Sequence, residues 1–237
     1  MCGRFSNAQE LSELAALVEF VVVAGFMAPR FNIAPRQFVP VLRREEGRTV
    51  LRPLRWGLIP SWAEEERIGD NLINARAETL AEKASFRKPF ARQRCLVPAD
   101  GFYEWRRAER SRTPFRFTLA GGRLFCFAGL WERWLRPPRA PDLIPDDPGQ
   151  GTEGAVVETF TIITTEANAL VRPVHERMPV ILPAEHYRSW LDEQQEADFL
   201  QPLLRPFPAE EMVCVQVSDK VNSARFDGPE CFQPAPT

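Results

Sequence analysis

The chain has 237 residues with 44% hydrophobic, 11% aromatic and 26% charged side chains, and its formal net charge at pH 7 is −2. This apolar and aromatic content excludes a disordered chain, and the length suits one globular domain. The 22 prolines against 13 glycines indicate many extended or turned segments rather than long helices.

Charge and cysteine usage limit the ligand classes. Residues 1–140 hold 24 Lys and Arg against 15 Asp and Glu, whereas residues 141–237 hold 6 against 17. A basic first part permits an anionic ligand on one face, and mutual neutralisation of the two parts in the fold is the alternative. The five cysteines form neither a CxxC pair nor a Cys/His cluster, so we expect no metal, no disulfide framework and no cofactor. The sequence lacks the pattern of a membrane span or signal peptide, which favours a cytoplasmic protein.

The first part of the chain predicts one helix followed by short strands. Ser6 to Gln9 has the form of a capping box, with apolar residues at helical spacing up to Val18. Residues 21–23, 39–42 and 49–54 have the composition of strands. Residues 32–35 must be extended because the residue before a proline avoids helical dihedral angles.

The second part predicts further strands around a proline-rich segment. Gly121 and Gly122 between residues 115–119 and 124–128 predict a β-hairpin. Residues 136–154 predict a surface excursion. Strands are expected at 156–165 and 212–217, and a helix at 183–191 that continues through 197–204. The whole predicts a single α+β domain over residues 1–237, with a bent, barrel-like antiparallel β core and a few flanking helices.

Cys2 becomes chemically unusual if Met1 is removed, as is normal before a small residue. The α-amine and the thiol would then belong to one residue. An α-amine has a pKa of about 7.7 to 8.0, against about 10.4 for lysine, so much more of it is neutral and nucleophilic near pH 7. Together with an aldehyde, the pair forms an imine and then a thiazolidine ring. A cysteine without such a role is the alternative.

Three further segments carry candidate catalytic side chains. Asn74, Arg76 and Glu78 occupy alternate positions, so an extended backbone would direct them to one face. Glu104 lies among aromatic residues, which would raise its pKa and suit it to acid–base work. A surface ion pair with the neighbouring arginines is the alternative for Glu104. His175 is one of only two histidines.

The combination of six segments resembles a known family. In chain order they are MCGRF at 1–5, NIAP at 32–35, WGLIP at 56–60, NARAET at 74–79, GFYEW at 101–105 and HERMP at 175–179. They look like the signature segments of the SOS response associated peptidase family, the abasic-site-processing proteins, and the match runs to about residue 225. Each segment is weak evidence alone, whereas six in order are strong.

The resemblance implies a covalent mechanism on damaged DNA. Cys2, exposed by self-cleavage or by an aminopeptidase, would capture the aldehyde of an abasic site in single-stranded DNA as a thiazolidine crosslink. Asn74 would hold the sugar or the imine, and Glu104 would be the acid–base and orienting carboxylate near the amine. His175 would protonate or polarise the sugar ring oxygen during ring opening. Peptidase (hydrolase) and lyase activities are implied as well. We expect a cytoplasmic, nucleoid-associated monomer whose partner is this DNA and that has no membrane partner.

The resemblance also implies a set of DNA-binding residues. Phosphate contacts are expected from Arg4, Asn32, Arg76, Thr164 and Arg177, and base shaping or stacking from Pro35, Trp56 and Trp62. Some family members have two adjacent tryptophans where this chain has Trp62 and Ala63. This difference weakens the stacking assignment at Trp62.

Two other functions stay open from the sequence. Glutamine amidotransferases with an N-terminal cysteine also begin Met-Cys-Gly, but they use an Asn-Gly segment, and this chain has no Asn-Gly dipeptide. A glutaminase assay would test that function. A non-covalent single-strand binding module would need only the basic first part and the tryptophans, and it would lose DNA on denaturation.

Overall fold

The computed structural model describes residues 2–10, 12–22, 28–108, 111–137 and 154–235. Within these ranges the β-strands are β1 Phe5–Asn7, β2 Val21–Val22, β3 Arg30–Ile33, β4 Phe38–Glu45, β5 Arg48–Trp56, β6 Asn74–Arg76, β7 Arg94–Ala99, β8 Gly101–Ala108, β9 Ser111–Leu119, β10 Phe125–Leu135, β11 Val156–Glu166, β12 Arg177–Pro179, β13 Ile181–Leu182 and β14 Met212–Gln216. The α-helices there are α1 Ser12–Leu17, α2 Ala84–Arg92, α3 Tyr187–Leu191 and α4 Ala197–Leu200.

Five long strands close into a barrel. Strands β11, β10, β7, β4 and β5 pair in that order through antiparallel ladders. The ring closes where β5 and β11 pair in parallel, with Trp56 opposite Phe160. The α+β class with a barrel-like β core is therefore confirmed, with the addition that the closing pair is parallel.

A second, antiparallel sheet carries the start of the chain. Its order is β14-β9-β8-β1-β3. Phe5 of β1 lies opposite Phe102 of β8 on one side and Ile33 of β3 on the other. The first residues of the chain are thus held inside this sheet, between β8 and the edge strand β3.

Barrel strands are apolar on both faces because each face meets another layer. In β7, Cys95 and Val97 belong to an apolar cluster shared with β1, β8 and β9, whereas Leu96 belongs to a second cluster shared with the helices. In β10, Phe127 belongs to the first of these clusters and Ala128 belongs to the second. Each fully buried large apolar side chain contributes about 1.5–3 kcal/mol to stability.

The capping box predicted at Ser6 is wrong. Ser6 lies in strand β1, and its Oγ donates a hydrogen bond of 2.5 Å to Asp100 Oδ1 instead of capping a helix. Asp100 Oδ2 also accepts from the backbone N of Ala8 at 2.7 Å. The Ser6 hydroxyl, which was expected to cap a helix, therefore binds the distant carboxylate of Asp100. The helix begins at Ser12.

The predicted hairpin around the glycine pair is also wrong. Strand β9 pairs with β8 and β14, whereas β10 pairs with β7, β11 and β13. Gly121 and Gly122 do have the positive φ angles that the turn requires, 75° and 68°. The turn carries the chain from one sheet to the other instead of joining two paired strands.

Other predicted elements are present with shifted ends. The strand predicted at 156–165 is β11, that at 212–217 is β14, and those at 39–42 and 49–54 are β4 and β5. The helix at 183–191 is a 3-10 turn followed by α3, and 197–204 is α4 followed by another 3-10 turn. Most of the excursion at 136–154 lies outside the described residues.

Among the described residues, the structure contains no helix with the length and apolar character needed to cross a membrane.

Candidate active site and nucleic-acid interface

The first residues of the chain are pinned against strand β8. The backbone N of Tyr103 donates to Arg4 O at 3.0 Å. Phe5 packs edge-on against Trp56 and Phe127, with ring centroids 5.1 and 5.7 Å apart. Phe5 is fully buried and so fixes the position of the chain three residues after Cys2. The Cys2 side chain is also 0% exposed.

Asn74 holds Cys2 from the opposite side. Strand β6 pairs in parallel with β11, which places Asn74 opposite Ile162. The preceding residue, Ile73, is fixed because its carbonyl accepts from Trp56 Nε1 at 2.8 Å. Asn74 Nδ2 donates to Cys2 O at 2.9 Å. The other side-chain atom, Asn74 Oδ1, is buried and has no hydrogen-bond partner among the described residues, which leaves an acceptor available beside Cys2.

Glu104 is a buried carboxylate next to Cys2. It lies on β8 and is 4% exposed. Burial raises its pKa, and the positive charge of nearby His175 acts in the opposite direction. Burial also raises the pKa of the Cys2 thiol, and the negative charge of Glu104 raises it further. The thiol and the carboxyl group therefore both favour their protonated forms more than they would in water.

His175 is positioned by the turn that follows β11. Asn168 Oδ1 accepts from the backbone N of Leu170 and Val171 at 3.1 and 3.0 Å, and Val171 O accepts from His175 N at 3.0 Å. His175 Nδ1 lies 3.0 Å from the backbone N of Arg177 and 3.1 Å from its carbonyl O. Which of these two bonds Nδ1 makes depends on the tautomer of the ring, and either bond fixes the orientation of the imidazole.

Of these groups, Glu104 and His175 line one cavity that also has a basic lining, whereas Cys2 is buried and adjoins it through the neighbouring Gly3. The volume of this cavity is about 430 Å³, and it is lined by Gly3, Arg4, Glu104, Trp105, Arg107, Arg112, His175 and Asn222. Three guanidinium groups against one carboxylate favour an anionic ligand. Arg107 and Arg112 face each other across the β8–β9 ladder.

The pKa of the thiols does not single out Cys2. Burial raises the pKa of every cysteine: that of Cys126 to about 12 and that of Cys214 to about 11, and those of Cys95 and Cys231 also rise. A thiolate activated in the manner of a cysteine protease is therefore absent among the described residues. What distinguishes Cys2 is its place beside the chain start and the cavity.

Comparison with known proteins assigns the family. The family model described as SOS response associated peptidase (SRAP) matches residues 1–224. The chain belongs to the SRAP family. The described part of this SRAP chain contains no group of three or more His, Cys, Asp and Glu side chains arranged to hold a metal ion.

Relatives of this SRAP chain are similar over almost its whole length. Abasic site processing protein YoqW of Bacillus subtilis (strain 168) is 41% identical over 237 residues, which cover 98% of this chain and 99% of that protein. Abasic site processing protein HMCES of Gallus gallus is 31% identical, covering 89% of this chain and 67% of that protein. A crystal structure of a Bacteroides thetaiotaomicron protein is 28% identical, with a TM-score of 0.82 over 99% of this chain and 100% of that one.

Asn32, expected at the DNA, lies inside this SRAP chain. It is 0% exposed, and its Oδ1 accepts from Arg4 Nη1 at 2.7 Å. Its Nδ2 donates to Phe226 O at 2.7 Å and to Ser223 O at 3.0 Å. Arg4 Nη1 also donates to Val221 O at 2.7 Å. Asn32 therefore ties the C-terminal segment to Arg4, and its side chain has no donor or acceptor left at a surface.

Trp56 and Thr164, two further residues expected at the DNA, are also buried in this structure. Both are 0% exposed. Trp56 stacks on Phe160 at a centroid distance of 6.2 Å in the core. Thr164 Oγ1 lies 3.5 Å from Ala75 O, at the junction of β11 and β6. The reason is strand alternation, which turns these side chains toward the interior.

The other predicted DNA-binding residues reach the surface to different extents. Trp62 is 59% exposed, and Pro35 is half-buried. Arg76 is exposed, and within the described ranges it forms neither an ion pair nor a side-chain hydrogen bond. Arg177 is paired with Glu78.

Several cavity residues were not identified from the sequence as site residues: Trp105, Arg107, Arg112 and Asn222. Asn222 Oδ1 accepts from Trp105 Nε1 at 2.6 Å, which fixes the indole at the cavity wall. The pairing of β8 with β9 would have placed Arg112 beside Arg107. No local sequence pattern predicts that Asn222 lies at this site.

Proposed function

We propose that this protein processes abasic sites in single-stranded DNA by forming a covalent thiazolidine crosslink through Cys2 once Met1 has been removed. One observation carries the proposal: Cys2 is held by Asn74 and lies beside Glu104, which lines a cavity together with three arginines. Family membership and the names of the relatives agree with it.

The reaction needs no oxidant or reductant. The ring-opened deoxyribose carries an aldehyde at C1′. The neutral α-amine of Cys2 adds to this carbon, and loss of water leaves a C=N bond. The thiol then adds to the same carbon, forming a C–S bond while its proton passes to the nitrogen. The product is a five-membered ring that joins the sugar to the protein.

Each neighbour of Cys2 has a task in this sequence. Glu104 takes the thiol proton and returns it to nitrogen, for which a raised pKa brings it nearer to neutral pH. The buried Oδ1 of Asn74 accepts an N–H of the reacting amine or imine. His175, which lines the cavity and whose ring is oriented by the Arg177 backbone, would donate a proton to the sugar ring oxygen as the ring opens.

Removal of Met1 is a required step. In the chain that still carries Met1, Cys2 has no free α-amine and is buried. Glu104 would activate water for self-cleavage of the Met1–Cys2 bond, which would be the peptidase (hydrolase) activity of this protein. A housekeeping aminopeptidase is the other route. Reversal of the crosslink, assisted by Glu104, would reopen the ring to the imine, and water would then release the aldehyde and the amine. Elimination of the 3′ phosphate from the same imine would cleave the strand at the lesion, which would be the lyase activity.

The DNA path follows the exposed basic residues. Arg4, Arg107 and Arg112 line the cavity and would neutralise the phosphates that flank the lesion. Trp62, which is exposed, would stack on a neighbouring base. Asn32, Trp56 and Thr164 would act by holding these groups and the site in place.

Intact mass measurement tests the proposal directly. The purified chain is expected to lack Met1, and incubation with a single-stranded oligonucleotide containing one abasic site should add the mass of the oligonucleotide less one water. An undamaged oligonucleotide of the same sequence is the control. If the chain without Met1 gains no mass from the abasic strand, the covalent mechanism is wrong.

Replacing Arg76 by alanine is expected to weaken binding of single-stranded DNA by about three- to ten-fold at low salt. Arg76 is exposed and forms no ion pair or side-chain hydrogen bond within the described ranges, so its loss removes one phosphate contact and otherwise only its charge near Glu78. The slope of log affinity against log salt should become shallower by about 0.7. Fluorescence anisotropy across a salt series measures both quantities. An unchanged slope would remove Arg76 from the DNA path.

A further inference from the structure

Arg177, one of the predicted phosphate contacts, is occupied by a carboxylate. Its Nη1 donates to Glu78 Oε1 at 2.6 Å, and its Nη2 donates to Glu78 Oε2 at 2.9 Å. Two parallel bonds of this kind are also how a guanidinium group binds a phosphate. The Glu78 side chain is 51% exposed and that of Arg177 is 17% exposed, so the carboxylate is the partner that faces the solvent.

The rest of the Arg177 guanidinium offers little to a ligand. Nη2 also donates to Thr164 O, and Nε is buried without a partner among the described residues. Of the five N–H groups of an arginine, only the second one on Nη1 is left for a phosphate while Glu78 stays in place. A bidentate contact with DNA therefore requires Glu78 to leave.

Glu78 also neutralises more than one arginine. The hydrogen bond from Arg177 lowers the pKa of Glu78, and the charge of Arg76 lowers it further, so the carboxylate stays ionised at neutral pH. A phosphate brought to Arg76 or Arg177 would meet this negative charge at close range, and like charges at such a distance repel.

We propose, on the basis of the proposed function, that Glu78 occupies the phosphate position of Arg177 and lowers the affinity of the protein for undamaged single-stranded DNA. A bound strand displaces the carboxylate, and the cost of that displacement is subtracted from the binding free energy. Retention on DNA then depends more on covalent capture at Cys2 than on phosphate contacts. Glu78 is thus a specificity-determining residue that acts through Arg177.

The test measures binding of an undamaged oligonucleotide by fluorescence anisotropy over a salt series. Glu78→Gln and Glu78→Ala are expected to bind about five-fold more tightly than wild type at low salt, with a log–log salt slope steeper by about 0.7. Glu166→Gln is the matched control, because this substitution makes the same change in net charge. Glu166 is an exposed carboxylate that lies opposite Arg177 in the β11–β12 ladder. In an Arg177→Ala background, Glu78→Gln should tighten binding less than it does in the wild-type background, because only the charge of Glu78 near Arg76 is then removed.

Each other outcome overturns the proposal. Weaker binding by the Glu78 variants would mean that Glu78 orients Arg177 for the phosphate, and equal gains for Glu78→Gln and Glu166→Gln would mean that only net charge matters. Unchanged binding would remove Glu78 from the DNA path. Crosslinking to abasic DNA is measured on the same proteins. If wild type crosslinks normally and Glu78→Gln has no higher affinity for DNA, only the role of Glu78 is overturned. If wild type neither binds single-stranded DNA nor crosslinks to abasic DNA, the proposed function is overturned as well.

Discussion

Replacing Cys2 by alanine is expected to abolish the denaturation-resistant complex with abasic single-stranded DNA. The variant keeps a free α-amine after Met1 removal, so it can still form the imine, but it has no thiol to close the ring. An imine hydrolyses when the protein is denatured. A denaturing gel should therefore show a shifted band for wild type and none for Cys2→Ala.

Borohydride separates the two steps of the reaction. Reduction converts the imine to a stable amine, so Cys2→Ala should give a band only when borohydride is present. Cys214→Ala is the matched control, since Cys214 is a half-buried cysteine on β14 that has no place in the mechanism. A stable band for Cys2→Ala without reductant would show that the thiol is not needed. A wild-type complex that disappears on denaturation would favour non-covalent binding.

Individual strands were predictable because they depend on local patterns. The alternation of residues 156–165 and the apolar content of 39–42 indicate strands whatever their partners are. Pairing is different, since it depends on residues far apart in the chain. Ser6 loses its predicted role as a helix cap to Asp100, and this interaction spans 94 residues. The order of strands in the closed barrel therefore could not be derived from the sequence.

The residues of the candidate site could also be predicted one by one, whereas their arrangement depends on the fold. Cys2, Asn74, Glu104 and His175 were selected from separate segments, and the fold brings them together. The expected common face of residues 74, 76 and 78 is realised only in part, because the extended backbone of β6 ends at Arg76 and a 3-10 turn follows.

Burial separates residues that position the site from residues that face a ligand. Asn32 and Trp56 occupy signature segments, yet both are 0% exposed, since one ties Arg4 to the C-terminal segment and the other packs between Phe5 and Phe160. A signature residue can be required because it holds its neighbours. The sequence alone does not reveal which side of a strand faces the ligand when both faces are apolar, as in this barrel.

Changing Glu104 to glutamine is expected to slow crosslink formation by about 100-fold at pH 7, because glutamine has a similar shape but cannot accept the thiol proton. Affinity for undamaged single-stranded DNA should change little. Single-turnover crosslinking on denaturing gels measures the rate, and anisotropy measures the affinity. An equal loss of rate and affinity would assign Glu104 a structural role instead of a chemical one.

The pH dependence distinguishes the role of Glu104 from that of the amine. In both proteins the rate should fall below about pH 8 as the α-amine becomes protonated. Wild type should lose rate additionally as the pH falls through the pKa of Glu104, which burial raises. The ratio of the wild-type rate to the Glu104→Gln rate should therefore decrease toward low pH. A ratio that is constant with pH would contradict the acid–base role.

Stability should change in the opposite direction to activity. Because burial raises the pKa of Glu104, its contribution to stability is fully present below its unfolded pKa of about 4.3 and is lost as the pH rises through the raised value. Near neutral pH the glutamine variant should melt at or above the wild-type temperature, and this advantage should vanish at about pH 4. Glu132→Gln is the matched control, since Glu132 is the other described glutamate that is only 4% exposed. Its carboxylate accepts hydrogen bonds from Ser61 and Gln93, and its variant should crosslink at the wild-type rate. A Glu104→Gln protein that is both slow and unstable would mean that the carboxylate holds the chain start in place, so that the loss of rate would follow from displacement of Cys2.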